Sequence, residues 1–183
     1  MIITEFDRED VVMRDQLADL LKKTWPEEYR EESQINALLA EERLAVAALE
    51  EDMLIGFIGA IPQYDHTGWE LHPLVVGDAY RRRKIGMRLV DFLEKEVASH
   101  GGITMYLGTD DENHATSLSE LDLYQDTFQA LSQIKNLKNH PFEFYEKQGY
   151  QIVGVIPDAN GWNKPDILMA KRIAEPENEN SPS

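Results

Sequence analysis

Cysteine is absent from the chain. That excludes disulfides, a thiol nucleophile and a thiolate-held metal. Positive charge is scarce: 18 Lys and Arg stand against 34 Asp and Glu, a net charge of −16. Such a surface repels nucleic acid over most of its area and suits cationic partners, which acidic clefts concentrate. No apolar run approaches membrane-spanning length, so no membrane partner is expected. The opening residues, MIITEFDRED, have neither the basic nor the apolar segment of a signal peptide. The five histidines are scattered without ligand spacing, so no metal is expected. A cytoplasmic location is the expectation. A length of 183 residues suggests one domain over 1–173, with a polar tail at 174–183 that is expected to be disordered.

What is present is strongly periodic. Strands are predicted at 2–6, 44–50, 53–61, 67–76, 103–109, 150–156 and 165–173. Glu51-Asp52 reads as a hairpin turn between two of them. Helices are predicted over 11–23, 27–40, 83–99, 119–135 and 141–149. In the third, Ile85, Leu89, Phe92, Leu93 and Val97 share one face. The order of elements implies a mixed α/β (α+β) domain with a sheet of six or seven strands.

The scarce positive charge is concentrated. Residues 80–89, YRRRKIGMRL, hold five of the basic side chains between a strand and an amphipathic helix. A helix N-terminus presents unpaired N–H groups and a favourable dipole to an anion. Gly86 allows close approach, and arginines add charge-assisted bonds, so a phosphate or pyrophosphate site is expected. A merely solvated basic face is the alternative. A Rossmann or Walker loop fits less well, because the stretch has one glycine where those need two or three.

Arg81-Arg82-Arg83-Lys84-Ile85-Gly86 resembles the pyrophosphate loop of the GNAT acetyltransferases, Gln/Arg-x-x-Gly-x-Gly/Ala, with Lys84 replacing the middle glycine. Phe144-Tyr145-Glu146-Lys147-Gln148-Gly149-Tyr150 resembles the same family's Phe-Tyr-x-Lys-x-Gly-Phe. TWPEEY (24–29), GFIGAIPQY (56–64), TGWELHPLVV (67–76), EKEVASHGGI (94–103), LGTDD (107–111) and ANGW (159–162) resemble its chromosomal aminoglycoside 6'-N-acetyltransferases from Gram-positive cocci. The resemblance implies a mostly antiparallel sheet flanked by helices and split in a V where acetyl-CoA enters. It also implies acetyl transfer to the 6'-amine of aminoglycosides, hence antibiotic resistance, by a homodimer.

Such a transfer needs a deprotonated amine, a donor for the thioester oxygen, a proton for the leaving thiolate and two substrates held together. If WELHPLVV is a strand, Glu70 and His72 share one face while Trp69 and Leu71 take the other. Pro73 cannot donate to a ladder and marks a bulge or an edge. The resemblance makes Leu74 the backbone oxyanion donor, with Val76 supporting the pantetheine. Glu70 is the candidate for binding the amine, and His72 acts beside or behind it. Tyr145 resembles the family tyrosine that protonates the thiolate, and Phe144 and Tyr150 are expected to pack. Arg81, Arg82, Arg83, Lys84, Ile85 and Gly86 are the expected pyrophosphate ligands. Trp25 and Tyr64 resemble residues lining the acceptor pocket, where aromatic faces suit a cationic sugar. Asp110 and Asp111, within the cluster 110–112, are candidates for contact with a polycation, ahead of Glu27-Glu28.

The segment from Asp110 to Asn139 departs from the family's short connection and is expected to carry an extra helix that serves the acceptor site or a dimer interface. Two other readings stay open: a GNAT enzyme acting on a polyamine or a protein lysine, and a non-catalytic acyl-CoA-binding module.

Overall fold

A computed structural model describes residues 1–175, so most of the tail at 174–183 lies outside the described residues. The chain forms two compact units, one of Met1–Met105 with the segment from Ile173, the other Tyr106–Arg172.

The first unit contains β1 (Ile2–Glu5), α1 (Val11–Thr24), α2 (Glu32–Leu38), β2 (Leu44–Glu50), β3 (Met53–Gln63), β4 (Gly68–Val76) and α3 (Ile85–Ser99). The four strands pair antiparallel in chain order. Glu51 and Asp52 turn β2 into β3 with φ of 50° and 65°, opposite the Glu50–Met53 pair, as a two-residue hairpin requires. β3 is almost wholly buried because α1 and α3 both pack on it, which explains its unbroken apolar run. α1 starts at Asp10, whose carboxylate accepts the Met13 N–H at 3.0 Å, and Lys22 and Lys23 lie in its last turn. Leu17 and Leu21 face a core with Phe6, Ile35 and Phe57, in which Phe6 meets Phe57 edge-on at 5.6 Å. α3 buries Ile85, Leu89, Val90, Leu93 and Val97.

Two helix starts fall later than the periodicity predicts. α2 begins at Glu32 rather than 27, since residues 25–29 form a turn through Pro26 and a Glu31–Gln34 capping box opens the helix. α3 begins at Ile85 rather than 83, because Arg82 and Lys84 have φ of 63° and 61°.

The second unit contains most of β5 (Thr104–Asp110), together with α4 (Thr127–Ser132), α5 (Phe142–Lys147), β6 (Gln151–Ile156) and β7 (Asp166–Arg172). β6 and β7 pair antiparallel, and β7 lies between β5 and β6. α5 packs against β7 and ends at Gly149, whose φ of +89° suits glycine as a helix stop. The helix expected over 119–135 is not continuous. A 3-10 turn at Ser117–Glu120 and the six-residue α4 replace it. A helix of that span would hold its ends roughly 25 Å apart. Instead the Ser117 N–H bonds to the Lys135 carbonyl, and those of Leu137 and Lys138 to the Ala115 carbonyl.

The start of this segment is organised by one carboxylate. Asp111 is fully buried. It accepts from the N–H groups of Ala115 (2.6 Å) and Thr116 (2.9 Å) and from the hydroxyls of Thr116 (2.7 Å) and Ser119 (2.8 Å). Burial alone would raise its pKa, but these four donors outweigh it and hold the carboxyl below its ordinary value. The stabilisation is therefore present above the unfolded-state pKa and is lost as pH falls through the lower folded one. Asp111→Asn keeps the shape but turns one acceptor into a donor facing donors. We expect a loss of about 1–3 kcal/mol, read as a lower urea midpoint at neutral pH. The variant should also lose part of the wild type's acid sensitivity.

Candidate active site

The chemistry-bearing strand is β4. Glu70 pairs with Ile61, Leu71 with Ala60 and Leu74 with Ile58, so His72 and Pro73 together oppose the single residue Gly59. This is the bulge that Pro73 predicts. The His72–Pro73 peptide is cis. A Cβ at residue 59 would sit 2.8 Å from the His72 carbonyl oxygen, so glycine is what lets the bulged backbone come this close. Below the bulge, Leu74 and Val76 return to register opposite Ile58 and Gly56, both half-buried. The faces divide as the alternation predicts: Trp69 and Leu71 are buried, Glu70 is half-buried and His72 is exposed. The Trp69 indole N–H donates to the His66 carbonyl at 2.8 Å and ties down the hairpin turn.

An aromatic pair stands against this strand. At the end of α1, Trp25 donates its N–H to the Leu21 carbonyl, and its own carbonyl accepts the N–H groups of Glu28 and Tyr29. That turn folds Tyr29 back so that its ring lies 6.0 Å from Trp25, tilted by 48°. The Tyr29 hydroxyl is 3.5 Å from Nε2 of His72. Trp25 and His72 are thus joined through Tyr29, a residue the sequence reading did not select, although it closes the TWPEEY stretch. Tyr64 is placed differently. It begins the β3–β4 turn with a φ of 51° and is 75% exposed.

The basic loop is more committed to the protein than expected. Arg81 pairs with Asp78 at 3.0 Å. Arg83 forks onto both Glu50 oxygens, at 2.5 and 3.2 Å, and its guanidinium lies 5.4 Å from the centre of the Tyr80 ring. Arg83 thereby also clamps this loop to the β2–β3 hairpin, while its side chain stays exposed like that of Arg81. Arg82 and Lys84 are exposed. Lys84 has a left-handed backbone, with φ of 61° and ψ of 19°, a conformation that favours glycine. That conformation costs a side-chain-bearing residue about 1–2 kcal/mol. Ile85 is buried, so only its backbone can face a phosphate, while Gly86 is half-buried in the first turn.

In the second unit, Asp110 is exposed. Its carboxylate accepts from the Asn160 amide and its carbonyl from Nε2–H of His140 at 3.1 Å. The Nδ1 atom of His140 accepts the Phe142 N–H at 3.2 Å. Burial pushes the His140 pKa down, which keeps the ring neutral with its proton on Nε2. Asp111 is corrected from acceptor contact to loop anchor, because it is fully buried and four donors already meet it. Tyr145 is 9% exposed, its ring between Phe144 (5.0 Å) and Tyr150 (5.8 Å). Burial pushes its phenol up to about 12, so it carries its proton at neutral pH. Tyr150 is buried and packs as expected. Among the described residues, no group of three or more His, Asp or Glu side chains is arranged to hold a metal ion.

Residues 12–128 match the model of the Acetyltransferase (GNAT) family. The chain belongs to the GNAT acetyltransferase family. Its fold is a mostly antiparallel, seven-stranded sheet flanked by helices. Several solved structures are similar over nearly the whole chain. An aminoglycoside 6'-N-acetyltransferase complexed with coenzyme A is 60% identical, with a TM-score of 0.94 over 97% of this chain and 100% of that one. The aminoglycoside 6'-N-acetyltransferase from Enterococcus faecium is 60% identical, with a TM-score of 0.93 over the same shares. At 15% identity, the ribosomal-protein-S18-alanine N-acetyltransferase from Escherichia coli shares the fold, with a TM-score of 0.69 over 97% of each chain. A comparison with curated proteins finds no match. The matched GNAT region contains β4, the Trp25–Tyr29 turn and the basic loop, whereas Tyr145 lies beyond it.

The bulge makes Gly59 a sensitive position. Gly59→Ala should lower stability by about 1–3 kcal/mol, measured by urea denaturation, because the new methyl group must push the His72 carbonyl away.

Proposed function

We propose that this chain transfers the acetyl group of acetyl-CoA directly to the 6'-amine of aminoglycosides in a ternary complex and so confers resistance. The observation that carries this reading is the 60% identity, over 97% of the chain, to an aminoglycoside 6'-N-acetyltransferase complexed with coenzyme A. The first-turn N–H groups of α3 and the exposed Arg82 and Lys84 suit a pyrophosphate. Arg81, Arg83, Ile85 and Gly86 complete that loop, the last two through backbone.

Glu70 holds the acceptor ammonium by charge and receives its proton, directly or through water. A carboxylate also stabilises the ammonium it binds, so its main contribution is placement. The amine nitrogen then attacks the thioester carbon. The Leu74 N–H donates to the oxygen as charge develops there, and Val76 supports the pantetheine through its backbone. The carbonyl re-forms as the C–S bond breaks; Tyr145 gives a proton to the leaving thiolate, and the proton shed by the newly acylated nitrogen returns through water to the phenol. Trp25 and Tyr64 offer ring faces to the sugar, and Asp110 offers a carboxylate. The net charge of −16 favours a polycationic acceptor over nucleic acid. The large exposed aromatics Tyr124, Phe128 and Trp162 in the second unit support a homodimer. Among the described residues no helix is long and apolar enough to cross a membrane, and we propose a cytoplasmic location.

Release of CoA should occur with an aminoglycoside bearing a 6'-amine and not with one bearing a 6'-hydroxyl. Turnover with neither, alongside tight acetyl-CoA binding, would move the acceptor to another amine or leave a binding protein. Glu70→Ala should lower kcat/KM for the acceptor by about 100-fold or more and leave the Kd for acetyl-CoA unchanged. Equal losses in both would remove Glu70 from the acceptor site.

A further inference from the structure

We infer that His140 is a positioning residue for Tyr145: its imidazole fixes the first turn of α5 against the end of β5, and α5 carries the phenol. The consequence for catalysis rests on the acetyl-transfer reading above; the placement of α5 does not.

α5 needs such a hold. It spans six residues, Phe142–Lys147, too few for a helix to persist by its own hydrogen bonds. Its position is therefore set by its ends and its packing. The N–H groups of Phe144 and Tyr145 both bond to the Pro141 carbonyl, at 2.9 and 3.4 Å, so the backbone of Tyr145 hangs from the first turn. At the other end the Tyr145 carbonyl accepts from the N–H groups of Gln148 and Tyr150, at 2.9 and 3.0 Å.

The first turn is built around one side chain. His140 is 4% exposed. Its Nδ1 lies 3.2 Å from the Phe142 nitrogen and its Nε2 lies 3.1 Å from the Asp110 carbonyl oxygen. Both partners are backbone groups with a single role. An amide N–H only donates and a carbonyl only accepts, so Nδ1 accepts and Nε2–H donates. A charged ring has no acceptor nitrogen and could not hold both. The backbone of His140 is fixed as well. The Asn136 amide donates to its carbonyl at 2.9 Å and accepts its N–H at 2.7 Å. The imidazole also lies 5.7 Å from the ring of the buried Phe142. His140 thus passes the position of the end of β5, where Asp110 stands, to the helix that bears Tyr145. Asp110, proposed for the acceptor, and Tyr145, proposed for the thiol, are placed relative to each other through one imidazole.

Two variants separate the two bonds. In His140→Asn, Oδ1 takes the place of Nδ1 and still accepts from Phe142, but the side chain is too short to reach Asp110. In His140→Gln, the amide reaches toward Asp110 and the acceptor beside Phe142 is lost. Amide hydrogen exchange of the full chain should show the Phe144 and Tyr145 N–H groups exchanging about 10-fold faster in His140→Gln than in the wild type. His140→Asn should fall between them, with the amides of β7 unchanged. Unchanged protection of α5 in His140→Gln, or faster exchange in His140→Asn than in His140→Gln, would overturn the placement. In single-turnover acetylation of an aminoglycoside bearing a 6'-amine, His140→Gln should slow transfer by about 10-fold with acetyl-CoA affinity unchanged. His140→Asn should recover most of that rate. In a Tyr145→Phe background His140→Gln should add nothing. Equal losses in both backgrounds, or no loss in either, would overturn the link to Tyr145. If the wild type acetylates no amine, the acetyl-transfer reading fails, and the exchange arm still decides whether His140 sets α5.

Discussion

One backbone approach governs the chemistry-bearing strand: the carbonyl of His72 lies against Gly59 where a Cβ would come within 2.8 Å. It allows two residues of β4 to face one residue of β3. Above this point Glu70 stays in register with Ile61, and below it Leu74 returns to register with Ile58. The bulge thus re-aims the strand between the residue proposed to hold the amine and the one proposed to meet the thioester oxygen. Proline at 73 contributes by lacking an N–H, and glycine at 59 by lacking a side chain. Neither would be enough alone, because a bulge needs room on the partner strand as well as a reason to leave the ladder.

Charge is handled locally in an acidic chain. The basic loop is pre-neutralised in part by Asp78 on Arg81 and Glu50 on Arg83, while Arg82 and Lys84 stand out toward solvent. The exposed ion pairs add little stability by themselves. The Arg83 fork, with Tyr80 beneath it, has a geometric effect: it ties a loop holding two left-handed residues to the β2–β3 hairpin. Asp111 plays the comparable part in the second unit, where a buried carboxylate gathers four donors and sets the path of the segment that follows β5.

The elements with a strong period were legible from residues alone. Of the face shared by Ile85, Leu89, Phe92, Leu93 and Val97, all but the half-buried Phe92 are buried in α3, and the alternation in WELHPLVV is the division between core and exposed side chains on β4. Pro73 announced the bulge. Boundaries set by backbone conformation were less legible. Nothing in the residue types of Arg82 and Lys84 signals a positive φ, so α3 was expected two residues too early. Periodicity within 119–135 suggested a helix, because a window of sequence does not register that the two ends of the segment are hydrogen-bonded to each other.

The residues alone set the chemical inventory: no thiol, an acidic composition with one basic loop, a strand carrying Glu70 and His72 on one face, and motifs shared with the GNAT family. The tertiary structure decided which of those groups remain available. It buried Asp111 under four donors, paired the exposed Arg83 with Glu50, and brought Tyr29 from the end of α1 to the imidazole of His72. The physical reason is that charge and hydrogen-bonding capacity belong to a residue, but their use depends on the partner that folding supplies. A partner 43 positions away along the chain leaves no mark on local sequence.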